Sequence, residues 1–320
     1  MVRSAMRTAA TLLFMCALAA AEESDGTAMT PVTIAGLVTT HDVTEHAFID
    51  KDVKDIEDAL NKKTSAGYEE ALNIYQNGKN SKLRNGMRTL ASFWPGLHDN
   101  SLGLSSSEEP FLKMFEEYKS SSGIDPHLSV LAALAGGISG ENHDRLGHYQ
   151  SSDVVGSDAF RAQVVKKNIK FQIIMLYALH EIEIAVAAYK KDQEAGNGPS
   201  EEAQIYVDVW WAFYAGSAET GNGQGSSAYV LAERRAKFFG TDKVEIGNGG
   251  KSKVNEILIK ATQEVKRLMR ANGNSAALDK LMKCVRAQLK VPLIQGCIQY
   301  GKNCTKCYNS FSRFSSMSCR

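Results

Sequence analysis

Read as apolar and polar positions, most of the chain repeats its apolar residues at intervals of three and four, and strand-like alternation is confined to Thr33 to Thr40. Spacing of that kind marks one face of an α-helix. It predicts helices at Phe48 to Asn61, Ala66 to Gln76, Glu109 to Lys119, Pro126 to Ala135, Asp158 to Gln193, Ser200 to Ala215, Ser226 to Phe239, Lys251 to Ala271, Ala276 to Leu289 and Pro292 to Tyr300. Breakers fall between them, at SSG (121–123), AGNGP (195–199), ETGNGQGSS (219–227) and EIGNGGKS (245–252). With 6 prolines in 320 residues and no stretch resembling a linker or a repeat, the expected fold is all-α. A single helical bundle domain over residues 22–300 is followed by a disulfide-rich tail at 301–320.

The helix at 158–193 breaks the amphipathic rule. Its stretch LYALHEIEIAVAAY is apolar on every side except at His180, Glu181 and Glu183, as expected of a helix through the middle of a bundle. Successive residues turn by about 100°, so His180 and Glu183 share a face and Glu181 points elsewhere. An ionised carboxylate in apolar surroundings costs several kcal/mol unless a cation or strong donors meet it. A metal ion is one such partner, and inward histidine and carboxylate pairs three residues apart build iron sites in helical bundles. Mutual pairing within the core is the other. The segment is not a zinc-protease helix, because Ile184 stands where that motif needs a second histidine.

Further ligand candidates lie on other segments. Asp208 sits among aromatic residues in YVDVWWAFYAG, and HDVTEH offers His41 with Glu45 and His46 with Asp50, each pair four residues apart. Glu219 and Glu233 read equally well as a helix-end residue and a salt-bridged bundle residue. His143 and His148 read as loop residues. GNGGKS resembles a phosphate-binding loop but has Glu245 where the first glycine is required, so nucleotide binding is not expected.

Composition places this chemistry outside the cytosol. MVRSAMRTAATLLFMCALAAAEESDG has a basic start (Arg3, Arg7), a short apolar run and small residues before Glu22, the pattern of a leader cleaved after Ala21. No later stretch reads as a membrane span. Loss of the two leader arginines leaves 35 Lys and Arg against 36 Asp and Glu, a net charge of −1 that gives nucleic acid no basic surface. Cys284, Cys297, Cys304, Cys307 and Cys319 then remain, all in the last 37 residues. Disulfides are the expected state in an oxidising compartment, and the odd count leaves one thiol over, or one link to a second chain.

Several of these segments, NIYQNGKNSKLRNGMRTL, LYALHEIEIAVAAY, WAFYAGSAE, AYVLAERRAKFFGT and VPLIQG, together resemble the Fe-assimilating, high-CO2-inducible secreted proteins of algae over roughly residues 40–300. His180 with Glu183 is also similar, over a shorter stretch, to the helical imelysin-like proteins. The resemblance implies a secreted or periplasmic protein that binds iron (Fe2+ or Fe3+) and captures it for a cell-surface uptake system. A metalloenzyme on the same scaffold and a metal-free surface interaction protein are the alternatives, and no catalytic residue stands out. Where relatives are expected to carry another acidic residue after Asp208, this chain has Val209 and Trp210. The expected metal ligands are therefore drawn from His180, Glu183, Asp208, Glu181, His41, Glu45 and His46.

Overall fold

Side chains buried on all sides of residues 175–189 set the centre of the molecule. The computed structural model describes residues 30–93, 126–140, 157–220, 223–242 and 252–317, with 301–317 described as backbone. The expected leader, the helix at 109–119, His143, His148 and the GNGGK stretch lie outside these residues. So do the side chains of Cys304, Cys307 and Cys319.

Two short hairpins precede and interrupt the first helices. β1 (Thr33–Ile34) pairs antiparallel with β2 (Leu37–Val38), and β3 (Lys82–Leu83) with β4 (Gly86–Met87). The helices are α1 (Thr44–Ala47), α2 (Ile49–Asn61), α3 (Ser65–Asn77), α4 (Pro126–Ser139), α5 (Asp158–Lys167), α6 (Met175–Glu194), α7 (Glu201–Ala215), α8 (Ala228–Phe239), α9 (Lys253–Arg270) and α10 (Ser275–Met317). The all-α class holds. The α6 and α7 helices form the most extensive pairing; α1, α8 and α9 pack on α7 and α10 on α6, while α2, α3, α4 and α5 pack against one another.

Local signals explain where helices begin. The hydroxyls of Thr64, Ser157 and Ser200 accept hydrogen bonds from the backbone N–H groups of Gly67, Phe160 and Ala203, satisfying donors that a helix start leaves open. Along α9, Val254, Leu258, Ala261, Val265 and Met269 make one buried stripe. The α7 helix ends at Gly216, whose φ of 83° favours glycine. A Cβ there would lie 2.6 Å from Asp50, the residue that takes hydrogen bonds from Ser217 Oγ (2.8 Å) and Ala218 N (2.9 Å). The stretch AGSAE is thus a crossing point of α2 and the end of α7.

Two expected boundaries differ. The helix expected over 158–193 is interrupted by a π-helical segment, Asn168–Ile174, between α5 and α6. A shift from i+4 to i+5 hydrogen bonding leaves apolar spacing almost intact, so periodicity does not reveal it. The helices expected at 276–289 and 292–300 are one helix, α10, with Pro292 inside it. Proline removes one amide donor, but Val291 and Leu293 on either side pack against the core and carry the helix through.

The described cysteines Cys284 and Cys297 carry free thiols. One helical stretch, Asp158–Glu194, is long and apolar enough to cross a membrane, but 83% of its most apolar window is buried inside the bundle. That burial is what a central core helix requires.

Candidate functional site

Glu183 is buried, and its two carboxylate oxygens accept from Arg286 on α10, Oε1 from Nε at 2.6 Å and Oε2 from an amino nitrogen at 2.7 Å. This is the two-point pairing that guanidinium and carboxylate planes favour. It holds the Arg286 pKa above its ordinary value. His180 is buried with its ring 5.7 Å from that of Tyr177, centroid to centroid, and Glu181 is buried on another side of the helix. A metal ion bound by Glu183 would have to displace Arg286. Glu183→Ala should lower stability by about 1–3 kcal/mol, the worth of charged hydrogen bonds, because Arg286, 32% exposed, can turn to water. Urea unfolding measures this; a loss below a few tenths of a kcal/mol would mean the pair is idle.

A second constellation joins residues far apart in sequence. Asp208, on α7, is fully buried. Its Oδ2 accepts from the backbone N–H groups of Thr40 (2.8 Å) and His41 (3.1 Å) and lies 3.1 Å from His41 Nδ1. Its Oδ1 is ion-paired with the buried Lys266 of α9. Burial pushes the Lys266 ammonium below its ordinary pKa, with Asp208 pulling it back up. The carboxylate therefore clamps the N-terminal segment, α7 and α9 together.

Against the Asp208 carboxylate His41 Nδ1 can only donate, and in the neutral ring this tautomer leaves a lone pair on Nε2. Nε2 is buried without a hydrogen-bond partner among the described residues and lies 3.9 Å from Oε1 of Glu201, the first residue of α7. Glu201 is 73% exposed. The arrangement reads buried carboxylate, imidazole, open nitrogen, exposed carboxylate.

The remaining candidates are placed separately. His41 and Glu45 do not share a helical face, because Asp42 Oδ1 accepts from Thr44 N (3.0 Å) and α1 begins only at Thr44. Glu45 Oε2 accepts from Lys82 N (3.2 Å). His46 sits edge-on to Phe213, its pKa pushed well down by burial and by nearby Arg88, and Asp50 is committed to Ser217 and Ala218. Glu219 accepts from Gly223 N (2.8 Å) and Gly225 N (3.1 Å), and Glu233 from Ser252 N (3.0 Å) and Asn255 Nδ2 (2.7 Å); both tie down loops. Among the described residues no three His, Cys, Asp or Glu side chains converge as a metal-binding group.

Sequence reasoning missed Lys266, Arg286 and Glu201. The first two left a signal. Lys266 lies in the buried row Leu258, Thr262, Lys266, Met269, and Arg286 one turn beyond buried Met282 on α10. A cation on an apolar stripe announces a buried carboxylate partner. Glu201 left none, since an acidic residue in a first helical turn is ordinary.

A helical scaffold with buried imidazoles and carboxylates, most of them held by other groups of the protein, defines the class of protein. The comparisons narrow it: the family model Fea1, low iron-inducible periplasmic protein, matches residues 9–317, and the chain belongs to that family. No curated protein and no solved structure matches it. It is a periplasmic protein of an iron-responsive family.

Proposed function

We propose that this protein binds iron in the periplasm and delivers it to a cell-surface uptake system, with His41 Nε2 and Glu201 as protein ligands and Asp208 orienting the imidazole. The observation that carries this reading is the buried, unpartnered Nε2 of His41, 3.9 Å from the Glu201 carboxylate. With metal–ligand bonds of about 2.0–2.2 Å, two ligands of one ion lie roughly 3 Å apart at right angles and about 4.2 Å apart when opposite, so a small shift of the exposed Glu201 side chain would bring both onto one ion. An imidazole nitrogen and a carboxylate oxygen suit both common oxidation states of iron. Two protein ligands leave the remaining positions to water, which favours capture and release over storage. A leader cleaved after Ala21 accounts for export, and disulfides in the tail would brace the C-terminal end.

The test is calorimetric titration with ferrous iron, under anaerobic conditions, of wild type and three single variants. His41→Ala should weaken binding by about 10–100-fold, the usual loss when a ligand or its orienting contact is removed. Glu201→Gln should weaken it in the same sense, while His180→Ala should leave it unchanged. Binding lost in His180→Ala and kept in His41→Ala would move the ion to α6 and overturn the assignment. A wild type that takes up no iron would end the iron reading and leave Asp208–His41 as architecture.

A further inference from the structure

The π-helical segment has a neighbour that the iron reading does not use. Between α2, α5, the π segment and α8 lies a cavity of about 320 Å³. Its wall carries five cations, Lys54, Lys166, Lys167, Lys170 and Arg234, against two carboxylates. Glu57 meets Lys170 at 2.7 Å, and Asp58 meets Lys54 at 2.5 Å. Lys166 donates to the neutral Asn61 side chain (2.8 Å), and Lys167 lies over the Tyr300 ring, 5.6 Å from its centroid. Arg234 is exposed and has no ion pair among the described residues. Among the described residues, three positive charges are thus left without a carboxylate.

A solvated charged face would spread such charges apart. Here Lys170 is 3% exposed, and the π segment sets it into the wall beside the others. Burial pushes its pKa down; Glu57 opposes this, but the like charges of Arg234 and Lys167 add to it. Cations gathered closely enough to repel one another, in a concave place, form a site that an anion relieves. Among the described residues of the lining the one apolar side chain is Leu231, so a hydrophobic ligand finds little to bury there. Segments of π-helix occur often at functional sites.

We propose that this cavity binds a small oxyanion carrying at least two negative charges, a polycarboxylate or a phosphate, held by Lys166, Lys167 and Arg234 above the Lys170–Glu57 pair. Charge sets the class and volume sets the size: about 300 Å³ is the lower end of small-molecule sites. The proposal uses no residue of the His41 site, and either can fail alone.

The experiment titrates the full chain, free of added metal, with sodium citrate and separately with sodium phosphate at constant ionic strength, using sodium chloride as the reference. Saturable binding of citrate, of phosphate or of both is expected, and the tighter arm identifies the source of the charge. Arg234→Ser and Lys166→Ser should each weaken it by roughly tenfold, the worth of one charged hydrogen bond. Both positions lie at the surface, and unchanged melting in chloride verifies that the variants fold. Uptake no greater than in chloride, or equal affinity in wild type and both variants, overturns the proposal.

Discussion

Replacing Asp208 with alanine is expected to destabilise the protein by about 3–5 kcal/mol, the range for breaking a buried ion pair from one side. The loss has several parts. Lys266 would be left as a buried ammonium, and the N–H groups of Thr40 and His41 and the His41 ring would lose their common acceptor. Urea unfolding monitored by circular dichroism measures the change. Lys266→Met in the same chain should restore much of it, because removing both charges of a buried pair is often neutral. A loss below about 1 kcal/mol for Asp208→Ala would show that the carboxylate does not hold these segments together.

Acidification gives the second large effect. His127 is buried, accepting at Nδ1 from Tyr75 OH (2.5 Å) and donating from Nε2 to the Phe93 carbonyl (3.3 Å). Burial pushes its pKa from 6.5 to about 3. A base with a depressed folded pKa gains its proton on unfolding. Its contribution to stability is complete above about 6.5 and falls progressively as the pH drops from there toward about 3. Between about pH 7 and pH 5 this amounts to about 2 kcal/mol. His46, also pushed well down, acts in the same direction, while Asp50 and Asp52, raised by burial, act in the opposite one. His127→Gln keeps a donor and an acceptor in place and removes the titration, so unfolding curves at the two pH values isolate its share. If the variant loses as much stability as wild type, the proton is taken up elsewhere.

How much of this was legible in the sequence depended on distance along the chain. The buried stripe of α9 and the all-round burial of α6 follow from spacing over a few turns, and both appear where periodicity predicts them. His41 and Asp208 were each visible as candidate ligands, but nothing local marks their contact across 167 residues. His180 and Glu183 were visible as a shared face; the identity of Glu183's partner was not, because Arg286 stands 103 residues away. The π segment left no mark, since one extra residue in a turn hardly disturbs an apolar run. Pro292 misled in the other direction, where tertiary packing overrode a strong local breaker.

The clamp at Asp208 also bears on when the molecule becomes complete. Thr40 and His41 lie near the beginning of the described chain, yet their anchor is on α7 and the charge that balances it comes from Lys266, more than two hundred residues after His41. Contacts of such long sequence separation require loop closure over most of the polypeptide before they return any stabilisation. A nascent or translocating chain can form α2 and α3 against each other early, but Thr40 and His41 have no anchor until α7 has emerged, and that anchor's charge is unbalanced until Lys266 of α9 follows. The His41 imidazole therefore acquires its fixed orientation only late in the making of the chain, once segments from opposite ends of the described sequence have met.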